Sequence, residues 1–144
     1  MKKLMKSLLA VMLIAMMAIS FTSCGIPSDP AKAKANLEGE GYKVLLEQVD
    51  LGDLGNMLGD KTEANLVATK GEESVTITWY KEEADAKTAY DALKKTFEDA
   101  KAQLEKMEDG EQKDALKKEI DNAAYGRSGK IVWFGTKAGV KAAK

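Results

Sequence analysis

The feature that most constrains the fold is a change of apolar period between residues 74 and 107. Val75, Ile77 and Trp79 alternate with polar residues, and this spacing of two predicts a β-strand with one buried face. From residue 86 the apolar residues recur in steps of four and three, which places them on one stripe of a helix. The stripe comprises Ala86, Tyr90, Leu93, Phe97, Ala100, Leu104 and Met107. A strand followed by such a helix predicts a long helix packed against a sheet, with Phe97 and Trp79 sharing neighbours.

Shorter elements are predicted on both sides of this strand and helix. Asp29 and Pro30 are residue types that cap and begin a helix, and Gly71 separates two strands of a hairpin. In chain order the predicted elements are a helix over 30–38, strands over 42–47, 64–70 and 74–80, the long helix, a second helix to about residue 122, a turn over 125–129, a strand over 131–134 and a final helix. The fold class is therefore α+β: a small antiparallel sheet of about four strands packed against a long helix, with short N- and C-terminal helices and the helices mainly on one face.

The N-terminal segment has the layout of a secretory signal. Lys2, Lys3 and Lys6 are followed by an uncharged, mostly apolar stretch of 14 residues from Leu8 to Phe21. At about 1.5 Å per residue this stretch would span about 21 Å as a helix, whereas the hydrocarbon core of a bilayer is about 30 Å thick. It therefore predicts a signal peptide, with an uncleaved signal anchor as the alternative.

The end of this segment carries the only cysteine of the chain. The run Phe21-Thr22-Ser23-Cys24 resembles a bacterial lipobox, although most lipoboxes have leucine where this chain has Phe21. The resemblance covers residues 1–25 and implies a bacterial lipoprotein with diacylglyceryl and palmitate groups on Cys24. It also implies an anchor on the extracytoplasmic face of the cell membrane, because two acyl chains bind a bilayer stably.

The implied cleavage divides the chain into residues 1–23, a removed signal peptide, residues 24–29, a short tether, and residues 30–144, a single α+β domain. The tether reaches at most about 18 Å, so we expect the domain to lie near the bilayer. After cleavage 19 basic residues face 23 acidic ones, and this net negative charge does not predict nucleic-acid binding. Leu, Ile, Val and Phe make up only 22 of the remaining 121 residues, so the core is expected to be modest.

Residues that carry common enzyme chemistry are scarce. The chain has no histidine, which excludes histidine-based triads and histidine metal sites, and a lipidated Cys24 leaves no free thiol. None of Ser28, Ser74 and Ser128 begins an S-x-x-K motif. The segment 126–130 resembles part of a phosphate loop, but it lacks the first glycine and the hydroxyl residue of that motif, and a strand is predicted to follow. The sequence therefore predicts no enzyme and no cofactor.

A glycine-rich segment over residues 50–60 holds four oxygen-bearing side chains: Asp50, Asp53, Asn56 and Asp60. Calcium prefers such ligands, but their spacing does not match an EF-hand loop. Solvated carboxylates are the default interpretation, so no metal site is predicted and ion binding by this loop is left open.

The last predicted strand is apolar on both faces. Because consecutive strand residues point to opposite sides, Trp133 and Phe134 do not share a face. In a sheet covered on one side, one of them meets solvent or a partner; the alternative is that a terminal helix covers the second face. Trp133 and Phe134 are therefore the candidate partner patch.

These observations favour a lipid-anchored, non-enzymatic protein of the cell envelope. It would bind the bilayer through Cys24 and a protein or cell-wall partner through the patch. The first alternative is an accessory ligand-binding subunit of a surface complex. The second is a small envelope hydrolase that uses carboxylates, although the acidic residues lie mainly at solvent-facing helix positions.

Overall fold

The computed structural model describes residues 25–48 and 61–144. The predicted signal peptide, Cys24 and the whole glycine-rich segment over 50–60 lie outside the described residues. The elements are α1 (Pro30–Gly39), β1 (Lys43–Gln48), β2 (Thr62–Lys70), β3 (Glu73–Tyr80), α2 (Glu83–Lys106), α3 (Glu111–Asn122), β4 (Ala123–Ser128), β5 (Ile131–Thr136) and α4 (Lys137–Ala143). The strands form one sheet in the order β1-β2-β3-β5-β4, and every neighbouring pair is antiparallel.

The predicted α+β class is confirmed, but the sheet has five strands rather than about four. The missed strand is β4, which occupies most of the segment 125–129 where the sequence predicts a turn after the second helix. Gly126 lies opposite Trp133 in the ladder between β4 and β5. A Cβ atom added at position 126 would be 2.6 Å from Cζ2 of the Trp133 ring, so the glycine makes room for the indole within a strand.

Helices lie on both faces of the sheet, so the expectation that they lie mainly on one face is wrong. On one face, called the core face, α1 packs on β1 and β2 while α4 packs on β3, β5 and β4. On the other, called the open face, α2 crosses β3, β5 and β4, and α3 packs back along α2. The long helix therefore leaves the open face of β1 and β2 largely uncovered.

The hydrophobic core lies between the core face and the two short helices. Val75, Ile77 and Trp79 are all buried there, which confirms the predicted alternation of β3. Leu37 of α1 and Val140 of α4 belong to the same buried cluster. The apolar area removed from water on this face is the main stabilising contribution to the fold.

Local sequence signals fix several element boundaries as predicted. Asp29 caps α1, because its Oδ1 atom accepts a hydrogen bond from the Ala31 backbone N–H at 2.9 Å. Gly71 has a φ of 61° in the turn between β2 and β3, and Gly129 has a φ of 57° in the turn between β4 and β5. This left-handed conformation favours glycine, so both hairpins carry a suitable turn residue.

The expected contact between Phe97 and Trp79 is wrong, because the two side chains lie on opposite faces of the sheet. The indole N–H of Trp79 donates to the Pro27 carbonyl oxygen on the core-face side. The Phe97 ring stacks on Tyr125 on the open face. Within α2, which has 24 residues, Ala86 alone is buried, and the rest of the predicted stripe is only half-buried.

Candidate functional site

One row of side chains crosses the open face, with one residue from each strand. The register pairs Leu45 with Val67, Val67 with Thr76, Thr76 with Phe134 and Phe134 with Tyr125. Residues directly opposite in antiparallel strands share a face and have Cβ atoms about 4.5–5.5 Å apart. These five side chains, here named the open-face row, therefore form a continuous line across the sheet.

The open-face row contains the exposed large apolar side chains of the described residues. Leu45 is 62% exposed, Phe134 is 43% exposed and Val67 is 39% exposed. Single exposed apolar residues are normal on a protein surface, whereas large contiguous apolar patches mark interaction sites; here the three residues share one row, with Thr76 between Val67 and Phe134. The remaining apolar member, Tyr125, is half-buried.

Helix α2 covers one end of the row through aromatic contacts. The Phe97 ring lies parallel to the Tyr125 ring, with centroids 4.6 Å apart and an interplanar angle of 17°. The Tyr90 ring approaches the same tyrosine at 6.0 Å in a tilted geometry. Such pairs contribute about 0.5–1.5 kcal/mol beyond the area they bury. They hold α2 over β4, whereas Val67 on β2 and Leu45 on β1 lie in the part of the sheet that the helix leaves largely uncovered.

A groove runs beside the row between α3 and β5 and encloses about 590 Å³. Phe97 and Phe134 supply apolar walls, while Lys118 and Glu119 stand at its rim. Because Phe134 belongs to both features, the groove and the row form one surface. Its volume is within the range of small-molecule pockets, but it is open to solvent, and none of the residues that line it is buried.

The two residues of the predicted patch have different environments. Trp133 is 9% exposed and lies in the core over Gly126, whereas Phe134 points to the open face. Only Phe134 has the exposure that a partner patch requires, and its role in binding stays a prediction. Leu45 and Val67 were not identified from the sequence. Each belongs to a strand with adjacent apolar residues, as Phe134 does, and that pattern is the signal that would have found them.

The segment predicted to be a tether packs against the domain. Ile26 is buried in the core cluster, and the indole N–H of Trp79 donates to the Pro27 carbonyl oxygen at 3.1 Å. Gly25 lines a surface cleft with residues 128–131, at the end of the sheet that carries the turn between β4 and β5. This end is here named the turn end. Residue 24 is thus joined directly to a segment that is fixed on the domain surface.

Ion pairs connect the start of α2 to the turn end. Lys61 Nζ lies 2.9 Å from Asp85 Oδ1, and Arg127 Nη1 lies 3.3 Å from Glu83 Oε1. Both pairs are partly exposed to solvent, so each contributes at most about 1 kcal/mol. The acidic residues of the first turn of α2 therefore form ion pairs with basic residues at the turn end. They also interact favourably with the positive N-terminal end of the helix dipole.

Tyr42 has the most strongly perturbed pKa among the described residues. Its hydroxyl donates a hydrogen bond to Glu73, which ties the start of β1 to the start of β3. Burial, then the hydrogen bond and charge of Glu73, raise the pKa of Tyr42 to about 12. A tyrosine that stays neutral is suited to a structural hydrogen bond, and we assign it that role.

Other candidate chemical sites are limited. Within residues 25–48 and 61–144, no group of three or more histidine, cysteine, aspartate or glutamate side chains could hold a metal ion. The segment 126–130 forms the end of β4 and the turn to β5, so a strand follows it as expected. The possible ion-binding segment over 50–60 lies outside the described part of the chain.

Comparisons with protein families, with curated proteins and with solved structures give no match to this chain. In the two described ranges, no helix combines the length and the apolar character needed to cross a membrane.

Proposed function

We propose that this chain is a lipid-anchored, non-enzymatic protein of the bacterial cell envelope that binds a protein partner through the open-face row. The observation that carries the binding proposal is the alignment of the exposed side chains of Leu45, Val67 and Phe134 in one row across the sheet. The anchor rests on the lipobox resemblance at Cys24, and the packing of the following residues supports it.

The chemistry of the row favours a protein partner over a cell-wall glycan. Glycans are recognised through many hydrogen bonds, whereas Leu45 and Val67 offer none. The centres of protein interfaces are apolar, with aromatic residues enriched and charged residues depleted. Phe134 has the side-chain type of such an anchor, and the adjoining groove can receive an apolar side chain of a partner.

The N-terminal packing supports an anchor that holds the domain at the bilayer. Because Ile26 is buried and Pro27 is hydrogen-bonded, the chain has no free linker between residue 24 and the domain. One residue adds at most about 3.8 Å of reach. A lipid on Cys24 would therefore hold the turn end close to the headgroups, and the position of the open-face row would be fixed relative to the membrane.

The binding proposal is tested by photocrosslinking in native membranes. A photoreactive amino acid is placed at position 134 or 67 of the full chain, and at Lys117 on α3 as an exposed control. We expect a discrete crosslinked protein from positions 134 and 67 and none from position 117. The same products from all three positions would show that the row has no specific partner.

The anchor is tested separately with Cys24→Ala in the full chain. We expect loss of fatty-acid labelling and release of the protein from the membrane fraction, because the thioether has no other attachment point. A Ser28→Ala variant serves as the control, and it should be labelled like the parent. Labelling that persists in Cys24→Ala would contradict the anchor without affecting the binding proposal.

A further inference from the structure

Strand β1 is an edge of the sheet. It pairs with β2 on one side, and no strand in the described ranges pairs with its other side. An edge strand presents unpaired backbone N–H and C=O groups, which are a template for another strand. Leu45, the most exposed large apolar side chain of the described chain, lies on this edge.

The open-face side chains of β1 have a symmetric order about Leu45. Lys43 precedes it by two residues and Glu47 follows it by two, so all three point to the same face. Both charged residues are exposed. A lysine and a glutamate at equal distances from a central apolar residue make the strand complementary to its own antiparallel copy.

We propose that β1 pairs with β1 of a second copy of this chain, antiparallel and with a two-fold axis at Leu45. In this register Leu45 faces Leu45 of the second copy, and Lys43 faces Glu47 of the second copy twice. On the core face the same register sets Val44 opposite Leu46. Opposite charges and apolar residues in directly opposed positions stabilise antiparallel pairs.

Neighbouring registers lack this complementarity. A shift that keeps the faces matched moves the axis by one residue, to Val44 or to Leu46. Leu45 then faces Lys43 or Glu47 of the second copy, and neither charged residue of β1 faces an opposite charge. The order of side chains along β1 therefore favours pairing with a second β1, and it favours a single register of that pairing.

The pairing joins the two open-face rows into one. The dimer would have a ten-stranded sheet, which is within the range of open sheets. Its contact is isologous, since the same edge is used by both copies. Pairing of one short strand buries less than the roughly 800 Å² per partner of a standard interface, so the dimer is weak in dilute solution. Confinement of both copies to one membrane would raise their effective concentration; this step and the orientation at the bilayer rest on the proposed anchor, whereas the strand pairing does not.

The geometry accommodates two anchored copies. A two-fold axis perpendicular to the sheet keeps the core faces of both copies on the same side. Helices α1 and α4 and the segment 25–27 lie on that side in each copy. This layer would lie along the bilayer and the joined rows would face away from it.

Disulfide trapping of the full chain in its membrane tests the pairing. In the proposed register two cysteines at position 45 have Cβ atoms about 4.5–5.5 Å apart, close enough for a disulfide after a small adjustment. Two cysteines at position 67 would be about 14 Å apart, three strand spacings. We expect Leu45→Cys to give a covalent dimer on mild oxidation, whereas Val67→Cys and the parent chain give none.

Charge reversal separates register-specific pairing from random collision. In the Leu45→Cys background, Lys43→Glu or Glu47→Lys alone places like charges opposite each other twice and should lower the dimer yield roughly tenfold. The double variant should restore it. Co-expression of the two single variants should restore it only as a mixed dimer. Within the chain these residues face the uncharged Thr69 and Asn65, so the fold should tolerate the changes.

Two results would overturn the proposal. If the dimer yield is the same in all charge-reversal variants as in Leu45→Cys alone, position 45 crosslinks by random collision. The absence of a dimer, or a disulfide to a different protein, would mean that the charges only protect the edge from pairing with itself. Unchanged thermal unfolding of each charge variant verifies that the fold is intact in either case.

Discussion

The two faces of the sheet are built from the same strands but differ in how completely helices cover them. On the core face Leu66, Ile77 and Trp133 are buried beneath α1 and α4. On the open face the neighbouring residues Val67 and Phe134 remain exposed although they are also apolar. Apolar character therefore does not separate the faces. The difference lies in which helices approach the sheet and how closely.

Small residues allow the close approach on the core face. Gly139 of α4 lies so near β3 that a Cβ atom there would be 2.5 Å from the Ser74 carbonyl oxygen. Thr136 fixes this contact, because its hydroxyl donates to the Ser74 carbonyl and accepts from the Gly139 N–H, both at 3.2 Å. On the open face Ala86 is the buried residue of α2, and the helix is also held by its aromatic contacts with Tyr125 and by ion pairs at its start.

The largest expected effect contrasts adjacent residues of β2. Leu66→Ala removes a fully buried side chain and should lower the free energy of unfolding by about 2–5 kcal/mol. Val67→Ala removes an exposed one and should cost less than about 1 kcal/mol. Urea denaturation of both variants measures the difference. Equal losses would show that the open face is as well packed as the core face.

A second contrast concerns the glycine beneath Trp133. Gly126→Ala would place a methyl group 2.6 Å from the indole, and this overpacking should cost about 1–3 kcal/mol. Gly39→Ala at the end of α1 meets no atom within 4 Å and should be neutral or slightly stabilising. Thermal unfolding compares the two variants. A neutral Gly126→Ala would place the Trp133 ring away from β4.

A smaller effect is expected for the hydrogen bond of Tyr42 to Glu73. Tyr42→Phe should cost roughly 1 kcal/mol at neutral pH. The raised pKa of Tyr42, about 12 against about 10 in the unfolded chain, means that the folded state retains the proton longer. This stabilisation is complete below pH 10 and is lost as the pH rises towards 12. Unfolding titrations of both proteins should show a steeper loss over this window for the parent. Parallel curves would contradict the assigned role.

The parts of the fold that the sequence predicts are those that depend on local residue patterns. The hairpin of β2 and β3, the cap of α1 and the long helix follow from period, turn and cap residues. Strand β4 was missed because Gly126 was interpreted as a turn residue, whereas the glycine accommodates Trp133 from the next strand. Ile26 between Gly25 and Pro27 was interpreted as a linker residue, and only the folded structure shows that it is buried.

The candidate site depends on information that one strand does not contain. Period two predicts that Trp133 and Phe134 face opposite sides, but it does not predict which side the helices leave open. Leu45, Val67 and Phe134 become one surface only through the pairing of strands that are distant in sequence. Because the register is set by the whole sheet, a pattern within one strand does not predict that these residues align in a row.

The most direct test of the account compares Trp133→Ser with Phe134→Ser. We expect Trp133→Ser to lower the free energy of unfolding by about 3–5 kcal/mol, as for a buried aromatic side chain, and Phe134→Ser to cost less than about 1 kcal/mol. The decisive measurement is the yield of the partner crosslink from position 67 in the folded Phe134→Ser chain. We expect this yield to fall at least several-fold while the fold persists. An unchanged yield in the folded variant would contradict a binding role for the open face.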